Sequence, residues 1–220
     1  MKPARTTSKL MPAHEVSLRG VYAVTDAALA PGNRLITAVE QAIRGGASLI
    51  QYRNKSGSPA LCREQAEALQ MICSRFHVPL IINDDVELAQ RCGAAGAHLG
   101  KDDADLQSAR RILGNTAIIG VSCYNDLIRA HQAQANGASY VAFGSVYPSP
   151  SKPLAVPVTF DVLRRARDGL SIPVCAIGGI TADNAQPLVD IGVDMLAVIS
   201  GIFGQPDITA ATRALTDLYN

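Results

Sequence analysis

Short runs of β-branched and other apolar residues recur along the chain, and longer stretches with apolar positions at i, i+3 and i+4 lie between them. The runs predict strands at Val21–Thr25, Ser48–Arg53, Leu80–Asp84, Ala97–Gly100, Ala117–Ser122, Tyr140–Val146, Val174–Gly178 and Met195–Ser200. The intervening stretches, such as Leu35–Arg44, Leu61–Arg75, Leu106–Leu113 and Phe160–Arg167, predict amphipathic helices. Strands apolar on both faces that alternate with helices imply a parallel sheet covered by helices.

A loose repeat supports that alternation. Gly46-Ala47-Ser48-Leu49, Gly96-Ala97-His98-Leu99, Gly137-Ala138-Ser139-Tyr140 and Gly192-Val193-Asp194-Met195 each end a predicted helix and open an even-numbered strand. Glycine accepts the left-handed conformation just past a helix, which accounts for its return at this joint. Eight strand-helix units in one chain of this length fit a single-domain (β/α)8 TIM barrel of the α/β class. A doubly wound open sheet is the alternative. It loses support as a nucleotide binder because no GxGxxG follows the first strand and no GxxxxGK[ST] occurs. Residues 1–18 read as a disordered, Ser/Thr/Pro-containing tail with Lys2, Arg5 and Lys9, and residues 19–220 as the catalytic barrel.

Composition narrows the function classes. With 48% apolar and 18% charged residues the chain is an ordinary globular protein, and a net charge of +1 offers no nucleic-acid footprint. Any anion site must therefore be local. Five cysteines, odd in number and without CxxC spacing, argue against a disulfide framework and point to a reducing cytoplasm. No apolar run reaches the roughly 18 residues of a membrane span. Homo-oligomerisation is left open.

The polar residues collect where predicted strands end. Gln51, Arg53 and Lys55 alternate at the end of the second strand and would share one face if the extended geometry persists, making a receptor for an anion such as diphosphate. The third strand ends in Asn83-Asp84-Asp85, and the fourth leads into Gly100-Lys101-Asp102-Asp103. Asp84 or Asp85 with Asp102 or Asp103 could hold magnesium, which takes one or two carboxylates plus substrate oxygens. Asp85 and Asp102 are expected to cap helices instead, leaving Asp84 and Asp103 for the metal. Ser122 ends the fifth strand, and the sixth runs to Ser149-Pro150-Ser151-Lys152. Gly178-Gly179 and Ile199-Ser200 end the last two, where such barrels often hold phosphate on backbone N–H groups. His98 reads as a satisfied core histidine, and Cys123 lacks a neighbouring base to make it a nucleophile.

Together these strand ends resemble the thiamine phosphate synthase family from Gly20 almost to the C-terminus. The resemblance rests on Gln51-Tyr52-Arg53-Asn54-Lys55, Ile82-Asn83-Asp84, Gly96-Ala97-His98-Leu99-Gly100 with Asp102-Asp103, Gly120-Val121-Ser122, Phe143 through Lys152, Ala176-Ile177-Gly178-Gly179-Ile180 and Val198-Ile199-Ser200. Each block alone is weakly specific; their order and spacing are highly specific. The resemblance implies that hydroxymethylpyrimidine diphosphate is joined to a thiazole phosphate by a dissociative substitution, giving thiamine phosphate and diphosphate. It further implies that Gln51, Arg53, Lys55, Asn83, Ser122 and Lys152 hold the pyrimidine diphosphate, with Arg53, Lys55, Ser122 and Lys152 catalytic. Asp84 and Asp103 would hold Mg2+, and Ser149, Ser151, Gly179, Ile199 and Ser200 the thiazole phosphate. Ser149 and Ser151 replace the family's usual threonines but keep their hydroxyls. Lys101 stands where glutamine is common, and Asp85 where arginine often follows. A thiazole tautomerase of the same barrel family would not need the retained Arg53, Lys55, Asp84, Asp103 and Lys152. A non-catalytic phosphate-ligand sensor would bind without turnover.

Overall fold

The β-branched runs form eight short strands because each can bury both faces at once, one toward the barrel interior and one toward a helix. The computed structural model describes residues 17–100, 105–148 and 157–220. The strands are β1 (Gly20–Val24), β2 (Leu49–Tyr52), β3 (Leu80–Asn83), β4 (Gly96–Leu99), β5 (Ile118–Tyr124), β6 (Tyr140–Phe143), β7 (Val174–Ile177) and β8 (Met195–Val198). All pair in parallel with their neighbours in chain order, and β8 closes onto β1 through Gly20 opposite Met195 and Val21 opposite Leu196. This is the closed (β/α)8 barrel, not the open sheet.

Nine helices surround it among the described residues: α1 (Arg34–Arg44), α2 (Pro59–Arg75), α3 (Val86–Cys92), α4 (Leu106–Leu113), α5 (Leu127–Ala135), α6 (Phe160–Gly169), α7 (Gln186–Asp190), α8 (Ser200–Phe203) and α9 (Ile208–Thr216). A 3-10 turn, Asp217–Tyr219, follows. Ser58, Asp85, Asp105, Asp126, Thr159 and Asp207 each accept a backbone N–H of the helix they open. Asp85 is thus the expected cap, receiving the Leu88 N–H at 2.8 Å. The cap of α4 is Asp105 rather than Asp102, because the helix starts three residues later than a cap at Asp102 would require. None of these helices is long and apolar enough to cross a membrane.

Two apolar clusters divide the core. The larger joins the outward faces of the strands, such as Val21, Ile50, Ile82, Val141 and Leu196, to helix residues such as Leu35, Val39, Leu69 and Leu163. The smaller fills the lumen with Tyr22, Val24, Leu49, Ile81, Ile118, Tyr140, Ala142, Cys175, Met195 and Ala197, and Leu18 packs against it from below. Side chains alternate along each strand, so Gln51, Asn83, His98 and Ser122 fall on the lumen side as well.

One joint differs from the sequence reading. Gly46, Gly137 and Gly192 have φ of 104°, 88° and 85°, as helix-ending glycines should. In the third unit that role belongs to Gly93, the left-handed C-cap of α3 at φ 70°. Gly96 instead sits inside β4, where any Cβ would run into the Ile118 carbonyl of β5. Its glycine serves strand packing, not helix termination.

Candidate active site at the C-terminal mouth of the barrel

Parallel strands in a closed barrel all point their C-terminal ends at one mouth, so the strand-end residues are gathered there by topology alone. At β2 the extended run stops at Tyr52, which splits the expected row of three. Gln51 faces the lumen and is buried, its amide donating to the Tyr22 hydroxyl at 2.6 Å. Arg53 and Lys55 lie past the strand, the first half-buried and the second exposed. The Arg53 backbone is pinned by its N–H to the Thr25 hydroxyl at 2.9 Å, and its guanidinium stands 3.9 Å from the Asp26 carboxylate. Lys55 Nζ reaches Asp84 at 3.3 Å.

Asp84 follows β3 in a left-handed conformation, φ 65°, uncommon for a residue with a Cβ though more accessible to aspartate than to most. Its N–H donates to the His98 carbonyl at 2.9 Å, which ties the turn to β4. Asn83 is half-buried on the lumen side of β3. A cluster of three or more His, Cys, Asp or Glu side chains is absent among the described residues. A hard cation that keeps water and substrate oxygens does not need one. Asp103, Lys152, Ser149 and Ser151 lie outside the described residues, as does Asp102.

Ser122 sits half-buried at the end of β5, its hydroxyl 2.9 Å from His98 Nε2. The β5–β6 pairing shifts register between Ser122 and Tyr124, and such irregularities re-aim side chains beside functional sites. Arg129 on α5 braces this corner, donating to the Ser122 carbonyl at 2.7 Å and to the Gly100 carbonyl at 2.9 Å. His98 is the satisfied interior histidine expected, with Nδ1 2.9 Å from the Tyr140 hydroxyl. Cys123 is buried, and desolvation pushes its thiol up to about 12, which removes it as a nucleophile.

Across the mouth the materials change. Gly178 and Gly179 have φ of 109° and 63°. A Cβ on either would run into the loop after β6, at Ser145 for Gly178 and at Tyr147 and Pro148 for Gly179. Tyr147 in turn donates its N–H to the Gly178 carbonyl at 3.0 Å and its hydroxyl to the Asn184 carbonyl at 2.7 Å. Asn184 bonds the Gly179 carbonyl at 2.9 Å. The glycine pair therefore lets the β6 loop dock on the β7 loop. Ile199 and exposed Ser200 begin α8 directly after β8, where Gly201 packs against the Ile180 carbonyl. The β7 and β8 ends are thus one continuous rim.

Sequence reasoning missed Thr25, Asp26, Arg129 and Asn184. Only the Thr-Asp pair closing β1 gave a local signal, a polar strand end like the others.

A family profile described as thiamine monophosphate synthase matches residues 21–202. The thiamine-phosphate synthase of Nitrosococcus oceani is 51% identical over 198 residues, covering 90% of this chain and 91% of that protein. That of Thiobacillus denitrificans is 50% identical over 200 residues, covering 91% and 94%. A solved thiamine phosphate pyrophosphorylase from Pyrococcus furiosus superimposes with a TM-score of 0.84 at 33% identity, covering 92% of this chain and 96% of its own. A profile match across nearly the whole barrel, with relatives this similar end to end, leads to one conclusion: the chain belongs to the thiamine monophosphate synthase family.

Proposed function

We propose that the barrel of residues 19–220 couples hydroxymethylpyrimidine diphosphate to a thiazole phosphate, releasing diphosphate and giving thiamine phosphate. The observation that carries this reading is the pairing of Lys55 with Asp84 across the ends of β2 and β3, with Arg53 beside Asp26 at the same mouth and Gln51, Asn83 and Ser122 facing the lumen. A site that only bound a thiazole phosphate would have no use for that second, strongly charged anion receptor.

In this reading Gln51, Arg53, Lys55, Asn83, Ser122 and Lys152 hold the pyrimidine diphosphate, and Gly179, Ile199, Ser200, Ser149 and Ser151 hold the thiazole phosphate. The reaction is a dissociative substitution. The pyrimidine–oxygen bond breaks first, and the thiazole nitrogen captures the resulting cation. Negative charge grows on the departing diphosphate, so Arg53, Lys55 and Lys152 stabilise the transition state more than the bound substrate. Ser122 donates to the same anion. The step needs no strong general base, and buried Cys123 is not required to supply a nucleophile.

Asp84 fits a magnesium anchor. Its carboxylate is at the mouth and already pairs with a cation, Lys55 Nζ at 3.3 Å, so the position suits positive charge. Asp84 and Asp103 would hold Mg2+, which supplies charge neutralisation to the leaving diphosphate when bound. Incubating the protein with both phosphorylated precursors and magnesium, and assaying thiamine phosphate, tests the function. Product formation is expected; binding of either precursor without product would overturn it.

A further inference from the structure

Five side chains from five strands form a continuous row of hydrogen bonds through the barrel interior. Gln51 of β2 meets the Tyr22 hydroxyl of β1 at 2.6 Å, and Tyr22 meets the Tyr140 hydroxyl of β6 at 2.8 Å. Tyr140 then reaches His98 Nδ1 of β4 at 2.9 Å, and His98 Nε2 reaches Ser122 Oγ of β5 at 2.9 Å. The two ends of the row, Gln51 and Ser122, are proposed contacts of the pyrimidine diphosphate. The three residues between them have no role in the reading above.

The middle of the row is built tightly. Tyr22 and Tyr140 are 1% and 0% exposed, and their rings meet edge to face with centroids 5.8 Å apart. The His98 ring stacks on Tyr140 at 5.6 Å. Gly120 of β5 makes the space for this arrangement, since a Cβ there would run into the Tyr140 phenol. Burial raises both phenols well above their ordinary range, so each keeps its proton.

Each hydroxyl has one proton to give, so the row has a direction. The Gln51 amide donates to Tyr22. The next two bonds fit either direction by distance, and pairing every buried hydroxyl proton within the row sends the Tyr22 proton to Tyr140 and the Tyr140 proton to His98 Nδ1. A nitrogen that accepts carries no proton. His98 must then hold its proton on Nε2 and donate it to Ser122 Oγ, which turns the Ser122 hydroxyl proton toward the mouth. Were the Gln51 amide reversed, every bond in the row would reverse, and Ser122 would give its proton to His98 instead of to an anion.

We propose that Tyr22, Tyr140 and His98 are positioning residues whose directed row fixes His98 as the Nε2–H tautomer and makes Ser122 a donor toward the anionic substrate. The donor role rests on the function proposed above; the tautomer does not. The test begins on the full-length, substrate-free protein with 15N-labelled histidine, the His98 signals being assigned with a His98→Asn variant. Wild type is expected to show a protonated Nε2 and an unprotonated Nδ1 at His98. Tyr140→Phe should lose that single-tautomer signature and lower kcat on the order of tenfold, the scale of one hydrogen bond. It should lower the rate of a Ser122→Ala enzyme no further, because both changes remove the same donor. If Tyr140→Phe fails to fold, Tyr22→Phe cuts the row one bond earlier and carries the same expectations. A proton on His98 Nδ1 in wild type, or an unchanged signature in the folded variant, overturns the proposal. So does an additive rate loss with Ser122→Ala. Failure of the wild type to couple its two precursors would instead refute the function, while the tautomer remains readable.

Discussion

Cationic side chains at the floor of this barrel are tied down more firmly than Arg53 and Lys55 at its mouth. At the floor, Arg110 of α4 donates to the carbonyls of Gly114, Asn115 and Ala117 before β5 and to Gly137 before β6, at 2.6–3.3 Å. Arg167 there bonds Asp194 at 2.7 Å, and the same carboxylate oxygen accepts the Val174 N–H. At the mouth, Arg53 stands 3.9 Å from Asp26 and Lys55 3.3 Å from Asp84, each a looser pairing. Floor arginines hold strand starts together, Arg110 through backbone carbonyls and Arg167 through the Asp194 carboxylate. Arg53 and Lys55 at the mouth are held by weaker, screened pairs that an incoming anion can replace, whereas Arg129 braces the backbone there much as Arg110 does at the floor. The difference separates stability from function by position, as expected of a barrel whose chemistry lies at its C-terminal face.

Arg53→Ala should test the mouth most severely. Removing a cation from the departing diphosphate is expected to lower kcat by about a hundredfold to a thousandfold, with little change in Tm. Steady-state kinetics with each substrate varied would check it, and a Tm loss without a kcat loss would erase the distinction between the two ends. Asp84→Ala should slow coupling by about a hundredfold, and chelation of wild type should reproduce the loss. Full activity in chelator would remove the metal from the reading.

The β7–β8 rim should respond more gently, because the thiazole phosphate keeps nearly constant charge as the new bond forms. Ser200→Ala is expected to raise the thiazole KM on the order of tenfold with a smaller change in kcat. A loss confined to kcat would mean that the two anion sites are assigned the wrong way round. At the floor, Arg110→Ala should cost about 1–2 kcal/mol of stability, discounted because three of its four bonds are exposed, and leave kcat unchanged. Thermal unfolding beside the coupling assay would show it.

Much of this was legible without coordinates. Apolar runs bounded by helical periodicity placed all eight strands, and Asp85 was recognisable as a cap from its position before an apolar helix. Parallel strands always end at one mouth, so Arg53, Lys55, Asp84, Ser122, Gly179 and Ser200 could be grouped from their places along the chain. Spacing misled at Gly96, because Gly93 three residues earlier does the helix-ending work. It also misled at β2, where Tyr52 ends the strand and parts Gln51 from Arg53.

The interior row belongs to tertiary structure alone. Tyr22 and Tyr140 are 118 residues apart and lie in runs that read as continuous apolar core. A strand buried on both faces lacks the polar alternation that tells lumen from shell, so the sequence could not say which side chains look inward. Closure of β8 onto β1 made that choice, turning two tyrosines and a histidine toward one another where no local pattern had linked them. Sequence determined the order of the strands and the polar residues at their ends; only the closed barrel decided which of them meet.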